Sequence, residues 1–442
     1  MKTFPVNISK SFHNTIEDIL NYKKDNILTL KCSIFLSTKD IIEFTPKEIV
    51  KMDIIQDFYG SIADNIDITL NMGIEKYKQL VLNRQNLVVK IDIIKSNATG
   101  EDINDYHKSL KYIGIVKEFQ KPSMYGPEET LNVILEQQST EYKTIELELE
   151  LIPEIVYKLR KTKFNFILNE ATMEDTILFI SDLLGFKKIY FIPPDNTTVY
   201  TNVVVPPLLE PSDIFDYLQD HPAYGIYDKG INYYIHDNIL YIYPLVNNLN
   251  NTPKCNIYSI GEGAYGGSTN FFKLVNNDLS IITNNKVTIK TPSQSSVENN
   301  GNSFIVDTPK KHIDNSGKVI SNNLFNVNRE FVTNVSLADD NSGLLTKAFT
   351  QSFIKTDNIN SIYSSLYNNL YMTAGIVWVF ASPFLIYPHS NIKYVYEDGE
   401  HIKEFKGWVL SAQYTIAKTN SMNKDTFACK ANIITGLLNY DY

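Results

Sequence analysis

Gly261-Glu262-Gly263-Ala264-Tyr265-Gly266 carries the G-x-G-x-x-G spacing with which a backbone cradles phosphates, and it follows a run, CNIYSI, that reads as a strand. The chemistry on offer would be nucleotide binding. The next segment, STNFFKLVNN, opens no amphipathic helix, and Glu262 would set a carboxylate against the phosphates, so these glycines read as a bend between strands. His389, Asp398, Glu400 and His401 are of metal-ligand type but follow no ligand spacing, and EDGE between IKYVY and HIKEF reads as a hairpin turn. His221 and His236 flank helix-end and turn residues and read as structural. No G-x-S-x-G, H-E-x-x-H or P-loop is present. A carboxylate pair for glycan cleavage leaves no signature in sequence, and that alternative stays open. The residues therefore predict no catalytic residue, no cofactor and no metal, and the chain is expected not to be an enzyme.

Three cysteines, Cys32, Cys255 and Cys429, are odd in number and form no C-x-x-C pair, which predicts buried free thiols rather than a disulfide framework or a zinc site. The first twenty residues lack an apolar stretch of the kind a secretory signal needs. The longest apolar run, AGIVWVFASPFLI, is far short of a membrane span and is interrupted by Pro383, so a pair of buried strands is expected there. A net charge of −9 with no Lys/Arg cluster excludes a general nucleic-acid binder.

The elements that would position any site are mostly strands. LTLKCSIFLS, IADNIDITL and NLVVKIDII are β-rich, with GIEKYKQLVLNRQ between the last two as a connection containing a helical turn. TIELELELI alternates most cleanly: Ile145, Leu147, Leu149 and Leu151 share one face, and Glu146, Glu148 and Glu150 share the other. The period then changes. Thr172 can cap a helix carrying Met173, Ile177, Phe179, Ile180 and Leu184 and closing at Gly185, and Ser212 or Asp213 can cap another with Ile214, Phe215 and Leu218. Gly225 to Tyr227 and Tyr233 to Tyr243 follow as strand, broken at Asp228-Lys229-Gly230 and at Asp237-Asn238. The fold class read from this pattern is mainly β with α+β. It comprises a first β-barrel over 1–155, an α/β unit of helix plus hairpin over 156–245, and a second β-barrel over 254–442. The second is expected to carry a long polar loop at about 291–323 and a helical insertion at about 344–371, where Leu345, Phe349, Phe353, Ile362, Leu366 and Leu370 recur at helical spacing.

The order of these pieces resembles the central baseplate hub family of contractile-tailed bacteriophages, which is related to hubs of injection machines. The resemblance rests on DFYGSIADNIDITL followed by NLVVKIDI, a helix-bearing α/β unit, SIGEGAYGGSTNF opening a second β block, and YMTAGIVWVFASPFLIYPHSNIKYVYED before GWVLSAQYTIAKTN. It implies a homotrimer whose two barrels per chain make a pseudo-six-fold ring, with the tail tube protein above, the central spike protein below, baseplate proteins around, and DNA passing without specific binding. It implies a place in the virion, after synthesis in the host cytoplasm. No catalytic residue is carried over. Glu146, Glu148 and Glu150 are then candidates for an acidic strand facing the channel. The alternatives are a host-binding tail protein and a tail-associated cell-wall-degrading enzyme.

Overall fold

The computed structural model describes residues 2–4, 7–21, 27–36, 40–83, 87–96, 102–117, 145–159, 163–210, 213–221, 223–227, 230–244, 253–260, 272–283, 372–388, 390–398, 401–419 and 426–438, with short strands between 289 and 355. The chain is mainly β. Strand β1 (Lys2–Phe4) and helix α1 (Asn7–Leu20) lead into β2 (Ile27–Phe35), β3 (Ile41–Phe44), β4 (Ile49–Asp57) and β5 (Asn65–Met72). Helix α2 (Ile74–Leu82) then precedes β6 (Leu87–Ser96), β7 (Asp102–Val116) and β8 (Ile145–Pro153).

The α/β unit runs α3 (Glu154–Leu159), β9 (Phe164–Ala171), α4 (Met173–Leu183), β10 (Ile189–Phe191), β11 (Tyr200–Leu209), α5 (Ile214–Asp220), β12 (Ile231–His236) and β13 (Ile239–Pro244). The last part holds β14 (Cys255–Ser259), β15 (Phe272–Val275), β16 (Asp278–Thr283), the short strands β17 (Ile289–Lys290), β18 (Ser303–Phe304), β19 (Glu330–Val332), β20 (Val335–Asp339), β21 (Leu345–Thr350) and β22 (Phe353–Lys355), and then β23 (Met372–Val379), β24 (Asn391–Asp398), β25 (His401–Lys418) and β26 (Phe427–Leu438).

Eight antiparallel strands close a barrel in the order β25-β4-β5-β8-β7-β6-β2-β26, with β26 returning to β25. Alternation is the reason: on β8, Ile145, Leu147, Leu149 and Leu151 point into the core while the glutamates between them point out. The same β25 and β26 also belong to a second sheet, β15-β16-β14-β24-β25-β26-β23, which curls until Phe272 on β15 meets Trp378 on β23 edge-on at 5.1 Å. On one flank of β25, residues 401–408 face β24 and residues 411–417 face β4. The change of neighbour falls at an irregularity between Val409 and Ser411, where the Leu410 carbonyl accepts from the Phe58 N–H. One long hairpin is thus a wall of both β-units.

The expected segments 1–155 and 254–442 are therefore not one barrel each. The first barrel needs β25 and β26 to close, whereas α1, expected with the first unit, packs Phe12, Ile16 and Ile19 against Ile260, Ile282, Val395 and Ile402 of the second.

Two local expectations are corrected. The helix expected at about 344–371 is strand over Leu345–Thr350 and Phe353–Lys355, and the rest up to 371 lies outside the described residues. Leu345, Phe349 and Phe353 are four apart, a spacing that also keeps one face of a strand, and antiparallel pairing of β21 with β20 satisfies the backbone. The run AGIVWVFASPFLI forms one strand ending at Val379 instead of a pair. Phe380 (φ 51°) and Phe384 (φ 66°) then turn the chain through the left-handed region around Pro383. Of the polar loop at about 291–323, only Ser303–Phe304 lies within the described residues. No described helix is long and apolar enough to cross a membrane.

Candidate functional site

Polar side chains converge where the α/β unit docks on the first barrel. The segment between β4 and β5, FYGSIAD, is held in shape by Asp57, whose Oδ1 accepts from the N–H groups of Tyr59 and Gly60. β12 lies along it: the Ile235 N–H donates to the Ile62 carbonyl at 2.8 Å, and Ala63 forms a parallel bridge with Ile235. Asn232 Nδ2 donates to the Phe58 carbonyl at 2.7 Å, and the Phe58 and Tyr234 rings meet edge-on.

Beneath this contact Asp64 accepts from three partners. His236 Nδ1 lies 3.0 Å from Oδ2, and the Tyr234 hydroxyl (3.0 Å) and Gln56 Nε2 (3.2 Å) lie on Oδ1. An ionised carboxylate only accepts, so the geometry assigns the proton of His236 to Nδ1. Burial, and then the Asp64 charge, raise the Tyr234 phenol far above its usual value and keep its O–H a donor.

An Asp–His pair with the Nδ1 proton on the carboxylate leaves Nε2 as a base, the arrangement used in acyl transfer. Here His236 is fully buried, its ring is flanked by Tyr241, Phe384 and Tyr387, and Nε2 has no hydrogen-bond partner among the described residues. Among the described residues no hydroxyl or thiol is bonded to it that could be made a nucleophile. What the arrangement does is tie three parts together. Asp64 and Gln56 come from the first barrel and His236 from the α/β unit. Phe384 comes from the turn between β23 and β24, where Lys108 lies 4.0 Å above its ring and pairs with Asp237 at 3.2 Å.

The predicted acidic stripe is on the outer face of the first barrel. Glu146, Glu148 and Glu150 stand opposite Asn71, Thr69 and Asp67 of β5. Lys117 bridges Asp67 at 2.5 Å and Glu148 at 3.2 Å, so the stripe is braced by a cation. A second cation, Lys51, pairs with Asp53 at 2.8 Å nearby.

The other sequence candidates do not gather. His221 stacks on Tyr224 at the end of α5, with Nδ1 accepting from the Ala223 N–H. Gly261 to Gly266, His389 and Glu400 lie outside the described residues, and Asp398 and His401 are register partners in the β24–β25 hairpin. Among the described residues no three His, Cys, Asp or Glu come close enough to hold a metal ion. The three cysteines are buried and unpaired, and burial pushes the thiols of Cys32 and Cys255 up to about 12.

The joint was not visible in the sequence, since Asp64 and His236 are 172 positions apart. The signal that carried it was the segment DFYGSIADNID, which enters the resemblance to tail hubs without any indication of what it binds.

A family model described as "Bacteriophage PBS1 gene 109 protein" matches residues 15–373. No curated protein sequence matches. Among solved structures, the chain is similar to a tail protein from Neisseria meningitidis MC58 (9% identity, 92% of this chain and 96% of that chain, TM-score 0.44). It is similar to the 43 kDa tail protein of prophage MuSo2 from Shewanella oneidensis (9% identity, 92% and 98%, TM-score 0.46). It is also similar to an E. coli component of the type VI secretion system described as resembling bacteriophage T4 tail proteins (9% identity, 89% and 75%, TM-score 0.37). The bacteriophage family agrees with the reading drawn from element order.

Proposed function

The chain belongs to the family of the bacteriophage PBS1 gene 109 protein, and from that membership we propose that it is the structural hub of a phage tail or baseplate. Three copies close into a ring that joins the tail tube to the central spike and surrounds the path of the DNA. The role is mechanical and needs no catalytic residue. The observation that supports it best is the hairpin shared by the two β-units: one chain carries two β-units side by side in fixed relation, so three chains set six around an axis. The joint at Asp64 and His236 fixes the α/β unit to the first barrel, as a load-carrying ring part requires.

Native mass spectrometry of the full chain is expected to give a trimer. A strictly monomeric species at about 100 μM, well above the dissociation constants of specific assemblies, would remove the ring.

In this reading Glu146, Glu148 and Glu150 face the channel and keep DNA from adhering. Replacing all three by Lys is then expected to make the assembled protein bind DNA non-specifically. Affinity should fall by orders of magnitude between low and moderate salt, as measured by fluorescence anisotropy. An assembled variant with no more DNA affinity than wild type would put the stripe elsewhere.

A further inference from the structure

The turn between β12 and β13 leaves a cavity of about 20 Å³ where it meets the first barrel. Its walls come from separate parts of the chain: Asp64 from the segment between β4 and β5, Tyr112 from β7, Ile235 and Asp237 from the β12–β13 hairpin, and Phe384 from the turn after β23. A cavity of more than about 10–15 Å³ admits a water, so this one takes a single water-sized occupant.

Cavities with wholly apolar walls stay dry, but this one carries a polar group that asks for a partner. Tyr112 is 5% exposed, and its hydroxyl has no hydrogen-bond partner among the described residues. Burial, and then the charges of Asp64 and Asp237, hold the phenol well above its usual value, so its O–H stays a donor in the field of both carboxylates. A buried donor that faces two acceptors and is bonded to neither marks a gap of the size a bridging water spans.

Asp64 has the capacity to receive the bridge. An ionised carboxylate offers about four lone-pair sites, and Tyr234, Gln56 and His236 take three of them. The remaining site is on Oδ2, because Tyr234 and Gln56 both bond Oδ1. A cation fits less well: three donors already point at Asp64, and Lys108 already pairs with Asp237 at 3.2 Å.

We propose that one structural water resides in this cavity, accepting from the Tyr112 O–H and donating to Asp64 Oδ2 and to the Asp237 carboxylate. Three bonds is about the number a buried water ordinarily makes. The direct bonds of Asp64 reach Gln56 on β4 and Tyr234 and His236 on β12, and the water extends the joint to β7. The site belongs to a single subunit and does not depend on ring formation.

A high-resolution crystal structure of the full chain is expected to show one solvent peak about 2.5–3.0 Å from both the Tyr112 hydroxyl and Asp64 Oδ2. An empty cavity, a Tyr112 hydroxyl bonded directly to either carboxylate, or a peak ringed by about six oxygens as a bound cation would be, overturns the proposal. A solution measurement separates a bridge from mere packing. Tyr112→Phe keeps the ring and removes only the donor, so hydrogen exchange at the Ile235 amide should quicken about tenfold. In an Asp64→Ala background, where the acceptor is already gone, the same change should add little. Unchanged exchange in Tyr112→Phe, or effects of the two substitutions that simply add, would show that no water couples these residues.

Discussion

Gly407→Ala is expected to prevent the native fold from forming. A Cβ at Gly407 would stand 1.9 Å from the Gly436 carbonyl oxygen and 3.1 Å from the Leu437 Cα, so the obstruction is main chain and no rotamer change relieves it. Gly407 pairs with Leu437, and Trp408 with Gly436, in the hairpin that both β-units share, so relief requires parting β25 from β26 where each is already bonded on its other flank. Overpacking of a core typically costs about 1–3 kcal/mol, and a backbone clash at such a crossing exceeds that range. The expected outcome is loss of soluble protein, or a denaturation midpoint lowered by more than about 4 kcal/mol equivalent. Gly375→Ala on β23 is the control. Nothing lies within 4 Å of a Cβ there, and the change should be neutral or stabilise by a few tenths of a kcal/mol. Soluble Gly407→Ala protein with wild-type stability would show that the two strands do not cross as described.

The second large effect is expected from Asp64→Ala. It leaves the Tyr234 hydroxyl, the His236 Nδ1–H and the Gln56 amide buried without their acceptor, a loss of about 3–5 kcal/mol. Because these donors sit on opposite sides of the docking contact, the loss should appear locally first. Hydrogen exchange at the Ile235 amide, bonded to the Ile62 carbonyl, should rise well before exchange in β4 or β8 does. Asp64→Asn keeps one acceptor oxygen but turns an N–H toward His236 or its neighbours, and should fall between the two. If Asp64→Ala costs less than about 1 kcal/mol and leaves Ile235 protected, the polar cluster is not what holds the unit in place.

Elements whose signal is local were legible in the sequence. TIELELELI alternates at period two and is β8. Thr172 caps α4 through the Asp175 N–H, with the Asp175 carboxylate returning to the Thr172 N–H. The Asp237-Asn238 turn between β12 and β13 places both residues at positive φ, as a two-residue hairpin connection demands. Leu345, Phe349 and Phe353 misled because a spacing of four suits either period, and only the partner strand decides.

Contacts between distant parts were not legible. Ser411 to Ala417 pair with Lys51 to Asp57 across roughly 360 positions, and no local pattern states that a strand will serve two β-units. For the same reason His236 read as a structural histidine, while Asp64, its acceptor, carried no signal of its own at the start of the β-rich segment IADNIDITL. The acidic face of β8 was read in full, but Lys117, which bridges it, lies on the neighbouring strand's end and enters only through sheet register.

The shared hairpin also dictates when this protein can fold. As the chain emerges from the ribosome, β2 to β8 can pair with one another, but the outer edge of β4 and the start of β2 that β3 leaves uncovered stay open until residues 401–438 have been made. Those edges must therefore wait with unpaired backbone exposed, and the last long strands act as a single clasp that completes both walls in one step. Slow, late and all-or-none acquisition of protease resistance is the kinetic signature to expect, with partly made chains dependent on chaperones for as long as the clasp is missing.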